Sequence, residues 1–373
     1  MINVGILGAT GAVGQRFVQL LHDHPQFQIT ALAASERSAG RTYREAANWI
    51  IDRPIPDSVA EMEVQPCTPD LVASAGCDVV FSGLDAAAAD DLEPAFARAG
   101  AAVISNAKSY RMHPDVPLLI PEVNPDHTAL IDRQEWLGAD GEPSGGYIVT
   151  NPNCSTVGLV MALKPLYDAF GIEAAHVVTM QALSGAGYPG VSALDALGNV
   201  IPHIGGEEDK LATEPNKLLG RLADGAIESA GLTITAQCNR VPVLDGHMEC
   251  ASLRLKTAAS PEDVAEAIST WRSPLREMGL PTAPECAIAV MDDERHPQPR
   301  RHAMLGRGMT VSVGRVQACP AMATDGRGVQ FVVLSHNTLR GAAGGAVLNA
   351  ELLLAQGRLL RKRERRAVAS SAA

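Results

Sequence analysis

Three places in the 373-residue chain put reactive or ligand-binding residue types at spacings that chemistry can use. The first is Cys154 in NPNCSTV, between a polar turn and residues suited to a helix start. A structural cysteine belongs inside an apolar run. A cysteine at a helix N-terminus feels the positive end of the peptide dipole, which favours a nucleophilic thiolate. The second place is His247, a potential proton-transfer partner that follows the tight-turn pair Asp245-Gly246. The pair reads as a hairpin turn between TITAQCNRVPV and MECASLRLK. From the residues alone, an exposed turn histidine is an equal reading. The third is GATGAVG, where Gly8, Gly11 and Gly14 follow a β-type run and open a helical one. Glycines there let the backbone approach a pyrophosphate at the positive helix end.

Cofactor choice is read about twenty residues beyond such a loop, where an acidic residue would hold a ribose 2′-hydroxyl. Here the strand ends at Ala34-Ser35, and Glu36, Arg37 and Ser38 follow. Ser35, Arg37 and Ser38 suit a 2′-phosphate, which predicts NADP rather than NAD.

The elements that must position these residues fall into two styles. Up to about residue 150 the chain alternates β-rich runs (INVGILG, QITALAAS, CDVVFSGL, AAVISNA, YIVTN) with helical patterns, which predicts a parallel sheet wrapped by helices. A helix follows over 155–171, with a kink expected at Pro165. Longer β-type runs then dominate, HVVTMQAL, LTITAQCNRVPV, MECASLRLK, AIAVM, MTVSVGRV and VQFVVLSHN, which predicts a mixed sheet in an α+β domain. Residues 341–366 return to helix, with a basic, solvated end. The expected fold class is therefore α/β. A Rossmann-like NADP domain spans 1–153, completed by 339–373, and an α+β catalytic and dimerisation domain with a mixed sheet spans 154–338, the C-terminal helix returning to the first domain.

Composition narrows the function classes. A formal charge of -11 argues against a nucleic-acid surface spread over the molecule, while leaving room for local anion pockets. No apolar run approaches a membrane span. The opening MINVGILGATGAVG has no basic n-region, so no secretory leader is predicted. Seven cysteines, at 67, 77, 154, 238, 250, 286 and 319, lack CxxC spacing and fit a reducing cytoplasm better than a disulfide framework or a metal site.

The runs VTNPNCSTVGL, NRVPVLDGH, IGGEEDK, SYRM and GATGAVG together resemble the aspartate-β-semialdehyde dehydrogenase family, and LLIPEVNPDH resembles its archaeal and fungal-type branch. The similarity runs from the first residues to the C-terminal helix, with the motifs in the family's order. It implies that Cys154 is the nucleophile, that His247 is the acid/base, and that Asn153 and Gln181 contact or orient the acyl intermediate. It further implies that Arg240 grips the substrate α-carboxylate, Glu207 meets its ammonium, and Lys210 and Arg111 bind phosphate. The adjacent Glu208 is an alternative for the ammonium.

The resemblance also implies an NADP site drawn from Gly8, Thr10, Gly11, Ala12, Val13, Gly14, Ser35, Arg37, Ser38, Ser82, Asn106, Ser184, Gly185, Gly187 and Asn337. The implied activity is NADPH-dependent reductive dephosphorylation of L-aspartyl 4-phosphate to L-aspartate 4-semialdehyde through a Cys154 thioester, in a homodimer or homotetramer. Reductases of related activated acyl groups, of the malonyl-CoA or N-acetyl-glutamyl-phosphate type, share the chemistry. Glu207 separates the malonyl-CoA case, since that substrate has no ammonium. A catalytically silent NADP-sensing scaffold would leave the spacing of Arg240 and His247 without a use.

Overall fold

The computed structural model describes residues 1–359, so the predicted basic end of the last helix lies outside the described residues. Two compact units are present. The first comprises Met1–Leu119, Asp126–Asn151 and the chain from Ala346 onward, and the second Ile120–Pro125 with Pro152–Gly345.

In the first unit, strands β1 (Ile2–Leu7), β2 (Phe27–Ala34), β3 (Val64–Pro66), β4 (Val79–Ser82), β5 (Ala102–Ser105) and β6 (Tyr147–Thr150) form one parallel sheet in the order β3-β2-β1-β4-β5-β6. β4, β5 and β6 are buried at every position, as parallel strands covered on both faces must be. Strand order reverses between β1 and β4, and ligands of doubly wound sheets bind outside the carboxyl ends of the strands at such a point. Helix α1 (Ala12–Leu21) starts there and buries Phe17, Val18 and Leu21. Helix α2 (Ala86–Arg98) is capped by Asp85, which accepts the N–H of Ala88.

The second unit is built on helix α3 (Cys154–Phe170) and on strands β7 (Ile172–Gln181), β8 (Thr233–Arg240), β9 (His247–Leu255), β10 (Ile288–Met291), β11 (Val311–Ala318) and β12 (Gly328–Ser335). The strands form a mixed sheet in the order β8-β7-β9-β12-β11-β10. α3 packs against this sheet, and its residues from Ser155 to Leu163 are all buried, as expected of a helix apolar on every side. Gly158 makes the close approach possible, because a Cβ there would stand 2.5 Å from Ser335 Oγ on β12. Helix α4 (Glu207–Leu218) packs on β8 and α3.

One expectation is corrected. Asp245-Gly246 does not turn a hairpin, because β8 and β9 lie on opposite sides of β7 and do not pair. Gly246, at φ 97°, instead redirects the chain into β9, and its N–H is held by Asn337 Oδ1 at 2.9 Å. His247 is consequently the first residue of a central strand and fully buried, not a turn histidine.

Among the described residues no helix is long and apolar enough to cross a membrane, and no group of three or more His, Cys, Asp or Glu could hold a metal ion.

Candidate active site

Sheet register brings the reactive residues of the second unit together. Arg240 pairs with Gln181 across β8 and β7, and Met248 pairs with Met180 across β9 and β7. Gln181, at the end of β7, therefore sits between Arg240 on one neighbour and His247 on the other. α3 delivers Cys154 at its first position, where Sγ lies 3.3 Å from His247 Nε2. Behind the cysteine, a Cβ on Gly341 would come within 2.9 Å of Cys154 Cα and Cβ, so the two backbones are in direct contact. The turn carrying Gly341 is anchored by its neighbour Arg340, which makes a buried two-pronged pair with Glu122 at 2.6 and 2.7 Å.

Asn153 is the helix cap. Its Oδ1 accepts the N–H groups of Ser155 and Thr156 at 3.0 and 3.3 Å, and its Nδ2 donates to both oxygens of Glu207 at 3.0 and 2.9 Å. Its backbone N–H donates to Glu214 Oε2 at 2.8 Å. Glu207 and Glu214 stand seven residues apart on one face of α4 and grip Asn153 from two sides. The side chain of Asn153 thus holds the N-terminus of α3 and fixes Glu207, from its place beside Cys154.

Glu207 also accepts Gln181 Nε2 at 3.1 Å and Lys210 Nζ at 2.6 Å. Burial alone would push its carboxyl pKa up. The charge of Lys210 and the bonds from Lys210, Asn153 and Gln181 outweigh that and leave the pKa below its ordinary value, so Glu207 is an anion. Glu208 is occupied elsewhere, accepting the backbone N–H of Cys238 at 3.1 Å. Arg240 is 7% exposed and donates from Nη1 to the carbonyl of Ala182 at 2.7 Å. Burial lowers its pKa without removing a guanidinium charge. His247 is held neutral: burial first, then the positive Arg240, bring its pKa down to about 3.

Two buried groups escaped the sequence reading. Ala182 donates its N–H to His247 Nδ1 at 3.0 Å, and no side-chain chemistry advertises it. Glu249 lies fully buried without a partner for either oxygen, and burial, reinforced by Glu207, raises its pKa well above the carboxylate range. It stands in phase with His247, Leu253 and Leu255 on the packed face of β9, a two-residue period that could have revealed it.

Residues of the predicted cofactor set fall in both units. In the first, Gly8 adopts φ 72°, and a Cβ there would meet the Gly83 carbonyl at 2.9 Å. A Cβ on Gly14 would stand 2.2 Å from Gly8 O, so α1 leaves the β1 end with no room for a side chain. A Cβ on Gly11 would have only Gly8 O within 4 Å, at 3.3 Å. Gly11 caps α1 without any side-chain hydrogen bond, and Thr10, Ala12 and Val13 complete this turn. The loop thus fits a pyrophosphate, which needs bare backbone N–H groups and close approach. Ser35 and Arg37 are exposed just past β2, with Ser38 half-buried beside them. Asn106 donates to the Ser82 carbonyl, and its own carbonyl accepts Arg111 Nη2 at 2.8 Å. In the second unit, Asn337 Nδ2 donates to Ser184 Oγ at 2.8 Å, and Gly185 and Gly187 lie in the same turn.

Known proteins match both units. Residues 3–131 match the family described as semialdehyde dehydrogenase, NAD binding domain, and residues 163–340 match semialdehyde dehydrogenase, dimerisation domain. The chain is 48% identical to an aspartate-semialdehyde dehydrogenase of Methanothermobacter thermautotrophicus, over 95% of this chain and 99% of that one. It is 46% identical to that of Schizosaccharomyces pombe, over 95% and 98%. The crystal structure of aspartate semialdehyde dehydrogenase with NADP from Candida albicans superposes with a TM-score of 0.85 at 44% identity, covering 96% of this chain and 99% of that one.

Proposed function

The chain belongs to the aspartate-semialdehyde dehydrogenase family, and from that premise we propose how its own residues carry out the NADPH-dependent reductive dephosphorylation of L-aspartyl 4-phosphate to L-aspartate 4-semialdehyde. Cys154 is the nucleophile, and the observation that carries this reading is the 3.3 Å contact of Sγ with His247 Nε2 at the capped start of α3. The sulfur attacks the acyl carbon and phosphate leaves, giving a thioester on Cys154. NADPH, when bound, supplies the hydride that reduces this thioester. Breakdown of the resulting thiohemiacetal releases the semialdehyde and returns the sulfur.

Around that carbon each neighbour has one task. Arg240 takes the α-carboxylate through its planar fork, Glu207 takes the ammonium, Gln181, between Arg240 and His247, orients the acyl group, and Asn153 contacts the acyl intermediate beside Cys154. Lys210, paired with Glu207 and partly exposed, is the cation for the phosphate. Arg111, in the first unit, keeps the phosphate-binding role that the resemblance gives it. For the cofactor, the loop from Gly8 to Gly14 receives the pyrophosphate, and Ser35, Arg37 and Ser38 receive the 2′-phosphate. Ser82 and Asn106 are further proposed contacts in the first unit, and Ser184, Gly185, Gly187 and Asn337 in the second. The chain self-associates as a homodimer or homotetramer, a reading that the match to a dimerisation domain supports. A reducing, cytoplasmic setting suits seven cysteines that are all free.

The test is the absorbance of NADPH formed from NADP, phosphate and aspartate semialdehyde. Wild type generates the signal, and Cys154→Ala reduces it by at least about four orders of magnitude, as loss of a covalent nucleophile does. A variant that keeps most of the activity removes Cys154 from the mechanism.

A further inference from the structure

Cys154 is seated by Gly341 as well as preceded by its cap, Asn153. A Cβ on Gly341 would lie 2.9 Å from Cys154 Cα, Cβ and O, so a shift of the Gly341 backbone is a shift of the nucleophile. Gly341 lies in the turn Leu339–Ala343, which is wound wider than an α-helix. Gly341 N donates to His336 O at 3.0 Å and Ala343 N to Thr338 O at 3.1 Å, each five residues back. Such π turns are rare and recur at functional sites.

Three contacts fix this turn. A Cβ on Gly308 would stand 2.5 Å from Leu339 Cδ1, and one on Gly344 would stand 2.6 Å from Met309 Sδ, so both ends are packed without slack. Between them Arg340 reaches Glu122 with both terminal nitrogens, at 2.6 and 2.7 Å, and each partner is 1% exposed. Arg340 Nε has no partner among the described residues, so Glu122 alone orients the guanidinium. Glu122 is itself held: Pro121 and Pro125 bracket a turn in which Val123 N and Asn124 N donate to Ile120 O at 2.7 and 3.1 Å. Asn124 Oδ1 closes it by accepting Ile120 N at 2.9 Å. This turn and the π turn both belong to the second unit.

A buried ion pair is a poor source of stability. Apolar side chains of similar volume often do as well or better, because both charges must leave water. What a two-pronged pair supplies is direction, since two parallel hydrogen bonds admit one orientation of the fork. We propose that Glu122 and Arg340 are positioning residues, which hold Gly341 against Cys154 and thereby set where the sulfur stands between His247 Nε2 and the acyl carbon. The inference rests on Cys154 as the nucleophile. Asn153 fixes the start of α3, Gly158 fixes its distance from β12, and Gly341 closes the third side of the seat.

The double variant Glu122→Leu/Arg340→Met removes the fork while keeping the space filled, and its melting temperature should stay close to that of wild type. Its kcat for NADPH formation from aspartate semialdehyde is expected to fall about 10²-fold, the cost of an ångström-scale displacement, with KM and NADP affinity within about twofold. A second readout sees the sulfur itself. The start of α3, the contact with His247 on β9 and the charge of Arg240 on β8 favour the Cys154 thiolate, and Glu207, beyond Asn153, opposes it. The pH midpoint for alkylation of Cys154 by iodoacetamide should therefore rise by about one unit in the double variant, as the sulfur leaves that seat. A pair that served the fold alone would leave both the midpoint and kcat in place.

Gly341→Ala disturbs the same seat without touching the ion pair, and the same fall in kcat at unchanged NADP affinity is expected. Arg340→Lys, which keeps the charge and loses the fork, replaces the double variant if that does not fold, with an expected loss of at least about tenfold in kcat. Wild-type kcat in the folded double variant, in Arg340→Lys or in Gly341→Ala overturns the proposal. Thioester trapping separates the two levels. No acyl group on Cys154 of the wild type removes the nucleophile and the inference with it, whereas acylation of wild type and double variant at equal rates removes the inference alone.

Discussion

In the first unit the proposed binding surface is backbone, seven consecutive residues from Gly8 to Gly14 at the mouth of one parallel strand, whereas in the second it is side chains drawn from the ends of α3, β7, α4, β8 and β9. A backbone site tolerates almost no added atoms and asks little of side-chain identity. A side-chain site depends on how each group is held by the next: Glu214 and Glu207 hold Asn153, Asn153 holds the start of α3, and Ala182 holds both His247 and Arg240. The two should therefore fail differently when perturbed, the first by steric exclusion and the second by loss of a charge or a hydrogen bond.

Among the substrate-binding side chains the largest effect is expected at Arg240. Replacing it by leucine removes the proposed carboxylate fork and should lower kcat/KM for aspartate semialdehyde by about 10²–10³-fold, mostly through KM, with NADP affinity nearly unchanged by titration. Equal loss of both would merge the two sites that the comparison separates.

A paired glycine experiment probes the other side. Gly14→Ala forces a Cβ to 2.2 Å from Gly8 O and 2.6 Å from Ala9 Cα, backbone that cannot step aside, so a loss of about 1–3 kcal/mol in unfolding free energy is expected. Gly11→Ala meets nothing nearer than 3.3 Å and should fold normally while weakening NADP binding, because its methyl group occupies the approach to the proposed pyrophosphate site. If both variants bind NADP as wild type does, the loop is a packing turn and not a phosphate cradle.

Glu249 gives a smaller, pH-dependent effect confined to the second unit. Its pKa in the folded state lies above that of the unfolded chain, so it binds a proton in the native protein under conditions where the unfolded chain has released one. Stability from this group is full below the unfolded pKa of about 4.3 and is lost as pH rises above it, at no more than about 1.4 kcal/mol per pH unit. Glu249→Gln removes that loss. Its melting temperature relative to wild type should therefore climb from acid to neutral pH, and a constant difference would mean that Glu249 is ionised in the fold.

The legibility of the molecule follows the same division. The glycine loop, the strand runs of both sheets and the helix after Asn153 could be read because local residue types specify them. The Asp245-Gly246 pair misled because a turn dipeptide says that the chain bends without saying which strands become neighbours, and here β7 enters between the two. The place of Asn153 beside Cys154 is visible in sequence, whereas its two glutamate partners, 54 and 61 residues away, are not. Ala182 could not be found at all, since its contribution is an amide that every residue but proline carries.

The central claim, an acyl group carried on Cys154, is tested most directly by mixing the protein with L-aspartyl 4-phosphate in the absence of NADPH, quenching in acid, and weighing the peptide that contains residue 154. The account predicts a mass gain of one aspartyl group on Cys154 that disappears when NADPH is added before the quench. An unmodified Cys154 in the NADPH-free mixture, from protein that turns over once NADPH is supplied, would contradict it.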